Sequence, residues 1–95
     1  MEIIIDGGRI RTETDFHDEF SSALGIRAYY GKNLHALWDV LSASVERPMT
    51  LVWRNSNESK QWLGTDFDAI VDVFRRVETQ DKQFGWPDKF SFVLN

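Results

Sequence analysis

The sequence predicts an α/β fold in which a three-stranded parallel β-sheet packs against about four helices. The strands are three short apolar runs at residues 3–5, 49–53 and 90–94. The segments between these runs have helical periodicity and are too long for hairpins, so each connection is a crossover between parallel strands. A chain of 95 residues, 42% of them hydrophobic, predicts a single globular domain, 1–95.

The N-terminal part of the chain predicts a strand followed by a helix. The three isoleucines at 3–5 form an unbroken apolar run, which is typical of a strand buried on both faces. Thr14 is the expected N-cap of the helix, and Gly25 is its expected end. His17 is expected on the exposed side of this helix, as a solvated histidine. The core stripe consists of Phe16, Phe20, Ala23 and Leu24.

Residues 29–39 lead from the first helix into a second one. Gly31 permits a turn that other residues resist, and Asn33 is the expected N-cap of a helix that begins at Leu34. Trp38 lies between the two faces of this helix, with two tyrosines upstream. By their spacing, the core-facing residues are Leu34, Leu37, Leu41 and Val45, and the outward-facing residues are His35, Asp39, Ser42 and Glu46.

The C-terminal half predicts two more helices and the third strand. Ser56 is the expected N-cap of a short helix, and Asp66 that of a longer helix ending near Gln80. A polar link over 81–89 then precedes the last strand. Trp86 in this link is expected to join the core, because the proline after it and the following strand would fix it.

The aromatic residues near Asp39 have two interpretations. Tyrosine and tryptophan near a helix start commonly pack at the edge of a core, with their polar tips in water. Alternatively, they form part of a protein-binding surface, in which a partly shielded Asp39 interacts strongly with a cationic pocket of a partner. The spacing of the residues leaves both open.

Charge and composition limit the function. The formal net charge of −4, from 11 basic and 15 acidic side chains, argues against nucleic acid as the direct ligand and allows a basic protein partner. The chain has no cysteine, which fits a reducing cytoplasm. No apolar run approaches membrane-spanning length, and the acidic start leads into a strand rather than a signal peptide.

The two histidines form no recognised catalytic or metal-binding set. His35 and Asp39 lie one helical turn apart and could act as a general base, but this would require a pocket and a second partner group. His17 and His35 are far apart in the chain and no cysteine accompanies them, unlike the ligands of zinc sites. The sequence therefore predicts a protein that is not an enzyme and needs no metal or cofactor.

Residues 29–39 resemble the central motif of the barstar family, whose members are intracellular inhibitors of small secreted bacterial ribonucleases of the barnase type. A dense motif combined with scattered matches at preserved spacing is more specific than a lone short motif. The resemblance covers nearly the whole chain and implies a barstar-like fold, a three-stranded parallel sheet packed against helices. The further matching residues are Ile10, Arg11, Asp15, His17, Glu46, Pro48, Leu51, Trp53, Arg54, Glu58, Ser59, Lys60, Gln61 and 73–75.

The resemblance implies how a barstar-like chain would bind. The acid matching Asp39 enters the ribonuclease active site, where it takes the place of an RNA phosphate among basic side chains. Gly31 lets the loop approach the enzyme closely, and inhibition is by occlusion in a 1:1 complex of a protein that is monomeric when free. The positions that pack around the acid on the enzyme's rim match Tyr29, Asn33, Leu34 and Trp38.

Three positions depart from the barstar pattern. His35 replaces an aspartate, and Arg76 and Ser44 stand where barstar has a glutamate and a tryptophan. These changes remove negative charge and contact area, so they favour a related guanyl-specific ribonuclease whose rim is less basic or partly acidic. The predicted partner-binding residues are Tyr29, Gly31, Asn33, Leu34, His35, Trp38, Asp39, Ser42 and Arg76.

Three functions follow as hypotheses. The first is a cytoplasmic inhibitor that protects its producer from a secreted guanyl-specific ribonuclease or from a neighbour's toxin. The second is an immunity or interaction module of barstar fold whose partner is a different nuclease toxin, such as a DNase, or a regulatory protein. The third is an enzyme that uses His35 and Asp39.

Overall fold

A computed structural model describes residues 1–95 and confirms the predicted α/β fold. The strands are β1 (Glu2–Asp6), β2 (Met49–Arg54) and β3 (Phe90–Leu94), ordered β1-β2-β3 with both pairs parallel. The helices are α1 (Glu13–Leu24), α2 (Leu34–Asp39), α3 (Ser56–Leu63) and α4 (Thr65–Gln83). None of the helices combines the length and apolar content that crossing a bilayer requires.

One face of the sheet is covered and the other is open. Ile3 and Ile5 on β1 are buried, whereas Ile4 between them is 45% exposed. On β2, Leu51 and Trp53 are buried, and the residue between them is only partly buried. The prediction of a first strand buried on both faces is therefore wrong. Successive side chains of a strand point to opposite faces, and only one face of this sheet meets the core.

The core lies between the sheet and the helices and contains 19 buried hydrophobic residues. The ring of Trp53 packs against Phe16 and Phe67 at centroid distances of 5.2 and 5.0 Å, which are typical of favourable aromatic pairs. Its indole N–H donates a hydrogen bond to the buried Ser59 hydroxyl at 3.0 Å, so its one polar atom is satisfied. Strand β2 is thereby fixed to α1, α3 and α4.

The N-cap of helix α1 lies two residues earlier than predicted. Thr12 is the N-cap: its side-chain oxygen accepts a hydrogen bond from the Asp15 N–H at 3.1 Å, and the Asp15 carboxylate accepts one from the Thr12 N–H at 3.2 Å. This reciprocal pair is a capping box, which Thr14 cannot form because it lies inside the helix. Gly25 ends the helix as predicted, in the left-handed conformation with φ 73°.

Helices α3 and α4 are not capped by the predicted residues. Ser56 is the first residue of α3, and its hydroxyl donates to the Asn95 carbonyl at 2.9 Å instead of capping the helix. Asp66 lies within the first turn of α4, which begins at Thr65 directly after Gly64. The single glycine between the helices leaves no room for a separate cap. Helix α4 also extends to Gln83, beyond its predicted end.

A buried ion pair ties the end of α4 to β3. The Asp81 carboxylate accepts hydrogen bonds from the Arg47 guanidinium at 2.7 and 3.1 Å and from the Phe90 N–H at 2.7 Å. Arg47 also donates to the carbonyl oxygens of Leu41 and Val45, both at 2.8 Å. Because Asp81 is completely buried, these contacts together compensate a charge that would otherwise be costly to remove from water.

Trp86 lies on the surface, so the prediction that it joins the core is wrong. The ring packs against Phe84 at a centroid distance of 5.1 Å, and the Arg47 guanidinium lies 5.8 Å from its centroid. Arg47 and Asp81, rather than an aromatic ring, close this end of the core, and Trp86 covers the arginine from outside.

The Asp81 carboxyl makes the stability of the fold depend on pH. Burial alone would raise its pKa, but hydrogen bonds from Arg47 and the Phe90 N–H, and the charges of Arg47 and Lys89, hold the pKa below its usual value of 3.8. Such a group stabilises the fold fully above its unfolded-state pKa, and this contribution is lost as the pH falls through the lower, folded-state pKa.

We therefore expect the free energy of unfolding to decrease as the pH falls below about 4. Urea unfolding at a series of pH values measures this decrease. Asp81→Asn should flatten it, whereas Asp88→Asn at an exposed position nearby should leave it in place. An Asp81→Asn variant with the wild-type pH dependence would contradict the assignment.

Candidate functional site

The link between α1 and α2 is anchored by two consecutive residues of α1. The Nδ1 atom of His17 lies 2.8 Å from the Tyr30 hydroxyl, and its Nε2 atom lies 3.0 Å from the Glu13 carboxylate. The Asp18 carboxylate lies 3.0 Å from Lys32 Nζ, and this hydrogen bond lowers the pKa of Asp18 below its usual value. Tyr30 and Lys32 are thus turned toward α1.

His17 is only 1% exposed, so the prediction of a solvated histidine is wrong. Both ring nitrogens have partners, which is what a buried imidazole requires. Its main partner, Tyr30, comes from the link rather than from the same helix, and helical spacing could not indicate it. Burial, followed by the negative charge of Glu13, raises the pKa of Tyr30 well above its usual range, so the hydroxyl stays protonated.

We expect Tyr30→Phe to destabilise the protein by about 1–3 kcal/mol, because it leaves a buried nitrogen of His17 without its partner. Tyr29→Phe is the matched control, since Tyr29 is 76% exposed and should lose almost nothing. Urea unfolding of both variants at neutral pH measures the difference. Equal stability of the two variants would show that the buried hydrogen bond does not hold the link.

Lys32, rather than Gly31, adopts the left-handed conformation in this link, with φ 54°. The close approach of α2 favours Gly31 in a different way: a Cβ atom there would lie 3.1 Å from the Ala36 Cβ, which is tighter than ordinary contact. Asn33 is the N-cap of α2 as predicted, because its side-chain oxygen accepts a hydrogen bond from the Ala36 N–H at 2.8 Å. These contacts fix where α2 starts.

Helix α2 directs Leu37 into the core and presents His35 and Asp39 to solvent. The side chains of His35 and Asp39 are 86% and 60% exposed, and His35 Nε2 lies 3.5 Å from the Asp39 carboxylate. Of the two interpretations of the aromatic residues near Asp39, the one in which they shield the acid from water is not supported in the free protein, because the Asp39 side chain is largely exposed. Tyr30 is buried, and Tyr29 instead borders a separate shallow pocket that includes Ile26 and Val40.

The second helix does not continue as a regular α-helix to Val45. Residues Val40–Ser44 form a π-helical turn, closed by a hydrogen bond from the Val45 N–H to the Val40 carbonyl at 3.1 Å. Such turns are rare and occur often at functional sites. Ser42 lies in this turn and is partly buried. It does not line the groove that lies between α2 and α4.

A groove of about 500 Å³ lies on the surface between α2 and α4. The Arg76 guanidinium lies over the Trp38 ring, 5.2 Å from its centroid, in the geometry of a cation–π contact. Arg76 Nε lies 3.6 Å from the Asp72 carboxylate, one turn earlier on α4. The lining residues are Leu34, His35 and Trp38 from α2, and Ala69, Asp72, Val73 and Arg76 from α4.

The structure thus brings four predicted site residues, Leu34, His35, Trp38 and Arg76, around one groove, with Asp39 next to His35. The sequence reasoning missed Ala69, Asp72 and Val73. A signal for Asp72 was present, since it precedes Arg76 by four residues and opposite charges at this spacing meet on a helix surface. The partner-binding role of the predicted set stays a prediction.

Comparison with known proteins identifies the family to which the chain belongs. The family described as Barstar (barnase inhibitor) matches residues 1–93. The chain belongs to the barstar family. A relative from Bacillus subtilis (strain 168), named "Putative ribonuclease inhibitor YrdF", is 34% identical over 93 residues, which cover 98% of this chain and 97% of the relative.

Membership of the barstar family confirms the predicted resemblance and the prediction that the chain is an inhibitor rather than an enzyme. The chemistry of the groove agrees with this role. It offers an exposed carboxylate, an aromatic ring and a guanidinium, which are groups that can contact a protein partner.

Proposed function

We propose that this protein inhibits a small secreted microbial ribonuclease, guanyl-specific and of the barnase type, by placing Asp39 in its active site. The observation that carries the proposal is the position of this carboxylate. It is solvent-exposed at the last α-helical residue of α2 in a barstar-family chain, next to a groove with an aromatic wall.

The proposed mechanism is mimicry of a phosphate by a carboxylate. A site that binds RNA phosphate carries cationic hydrogen-bond donors, and these form charge-assisted hydrogen bonds with a carboxylate as well. The surrounding contacts exclude water, which strengthens the attraction. No covalent bond is made or broken, and RNA cannot bind because the inhibitor occupies its binding site.

The inhibitor would need little rearrangement to form the complex. Asn33 caps α2, Leu37 anchors it in the core, and Tyr30 holds the preceding link to α1. A preorganised binding element loses less conformational freedom on association, so more of the contact energy appears as affinity.

The flanking residues supply contact area around the acid. Tyr29 is the most exposed aromatic side chain next to α2, and Trp38 forms one wall of the groove. Exposed tyrosine and tryptophan side chains are common energetic centres of protein interfaces. We propose that Gly31, Asn33, Leu34 and Ser42 complete the contact, in a 1:1 complex of a protein that is monomeric when free.

In the cell, such an inhibitor would act in the cytoplasm and protect its producer from its own ribonuclease before export, or from a neighbour's toxin. A second candidate partner is a different nuclease toxin, such as a DNase. The observation that allows it is that the site is not a continuous acidic surface, since His35 lies 3.5 Å from Asp39 and Arg76 lies over the neighbouring Trp38 ring, so the charge pattern does not restrict the partner to one highly basic ribonuclease.

Titration of the purified protein into an assay of barnase activity tests the proposal, with an acidic guanyl-specific ribonuclease and a DNase toxin assayed in parallel. We expect inhibition of at least one ribonuclease, complete at one equivalent. Inhibition of the DNase alone would support the second candidate, and no inhibition of any ribonuclease would refute the proposed function.

A further inference from the structure

We infer that Arg76 determines which ribonuclease is bound, by receiving a carboxylate from the rim of the partner enzyme in the groove between α2 and α4. This inference rests on the proposed function and adds the chemistry of a second contact. Asp39 would meet a cation of the active site, and Arg76 would meet an aspartate or glutamate beside it.

The first observation is that the Arg76 guanidinium has free hydrogen-bond donors. A guanidinium carries five N–H groups. Arg76 makes no hydrogen bond within the protein: its nearest carboxylate is Asp72 at 3.6 Å from Nε, and its side chain is 58% exposed. The donors on the two terminal nitrogens are therefore available to a partner.

The second observation is that the guanidinium packs on an aromatic ring at the edge of the groove. It lies over the Trp38 ring, 5.2 Å from the centroid. A planar guanidinium can form two parallel hydrogen bonds to one carboxylate, a geometry that a lysine ammonium does not provide. The groove next to it, about 500 Å³, has room for an acidic side chain.

The third observation is the distribution of charge. Each carboxylate at the site already has a cation or a histidine within 4 Å, Asp39 paired with His35 at 3.5 Å and Asp72 with Arg76 at 3.6 Å. The site therefore mixes carboxylates with a guanidinium and an imidazole, unlike a continuous acidic patch. A uniformly basic rim would place a cation opposite Arg76, and like charges brought together at an interface are unfavourable. A rim with a carboxylate at this point avoids that penalty.

The test compares charge variants on two enzymes, barnase and an acidic guanyl-specific ribonuclease, with dissociation constants measured at low and at physiological salt. We expect Arg76→Gln to weaken binding to the acidic enzyme by about tenfold and Arg76→Glu by about a hundredfold. Arg76→Glu should tighten binding to barnase. Asp72→Asn should tighten binding to the acidic enzyme, because it removes a negative charge near the incoming carboxylate.

Arg75→Glu is the matched control, since it makes the same change of net charge on the neighbouring, exposed position outside the groove. Equal effects of Arg75→Glu and Arg76→Glu on both enzymes would overturn the inference, because net charge alone would then explain them. Failure of the wild-type protein to bind the acidic enzyme while it inhibits barnase would also overturn it. Failure of the proposed function is recognised separately, by an Asp39→Ala variant that inhibits as well as the wild type.

Discussion

Replacing Asp39 with alanine is expected to weaken inhibition of the ribonuclease by about 2–5 kcal/mol, or about 30-fold to several thousandfold in the inhibition constant. The loss is large because the cationic groups of the enzyme would remain buried in the complex without their partner. Complexes of barstar with barnase are among the cases behind this range. The fold should be unaffected, since the Asp39 side chain is 60% exposed and contacts only His35 closely.

Two further variants separate charge from shape. Asp39→Asn keeps the size of the side chain and should lose nearly as much as alanine, because the amide carries no charge. Glu58→Ala removes one negative charge from an exposed position on α3, away from the groove, and should leave the inhibition constant almost unchanged. If Asp39→Ala and Glu58→Ala have the same small effect, Asp39 is not the residue that occupies the enzyme's active site.

Replacing Asp81 with alanine is expected to lower the free energy of unfolding by about 3–5 kcal/mol. The variant leaves the Arg47 guanidinium largely buried without a counter-charge, and it leaves the buried Phe90 N–H without its acceptor. The contact between the end of α4 and the start of β3 would be lost with it. This is a large part of the total stability of a domain of this size.

Urea or thermal unfolding at neutral pH measures the loss, with Asp88→Ala as the control at an exposed position of the same segment, for which we expect a change within about 0.5 kcal/mol. A double variant, Asp81→Leu with Arg47→Met, should recover the part of the loss that comes from the unpaired charge, while the Phe90 N–H stays without its acceptor. A loss for Asp81→Ala no greater than for Asp88→Ala would contradict the structural role of the pair.

Much of the fold could be predicted because the apolar runs are short and separated by helical periodicity. The strands at 49–53 and 90–94 and the start of α2 at Leu34 agree with the structure to within a residue. The errors arise where a local pattern competes with tertiary structure. The isoleucine run at 3–5 gives no sign that one sheet face is open, and nothing near Trp86 in the sequence shows that the Arg47 and Asp81 pair already closes the core.

The site was harder to predict, because it is assembled from distant parts of the chain. Tyr30 is buried and Tyr29 exposed because the Tyr30 hydroxyl pairs with His17 on α1, which lies far away in the sequence. The groove depends on how closely α2 approaches α4, and Asp72 and Val73 enter it only in three dimensions. Local spacing correctly indicated the outward position of His35 and Asp39, since these depend only on the start of α2.

The anchoring of the link by Tyr30 and Lys32 limits the changes that the link can tolerate. Both residues contact α1, at His17 and at Asp18, and a single residue lies between them. Inserting or deleting a residue at Gly31 would leave at least one of the two contacts unmade. The Tyr29 side chain is 76% exposed and takes part in neither contact, so the folding of the link should depend more on its length than on the residue at position 29.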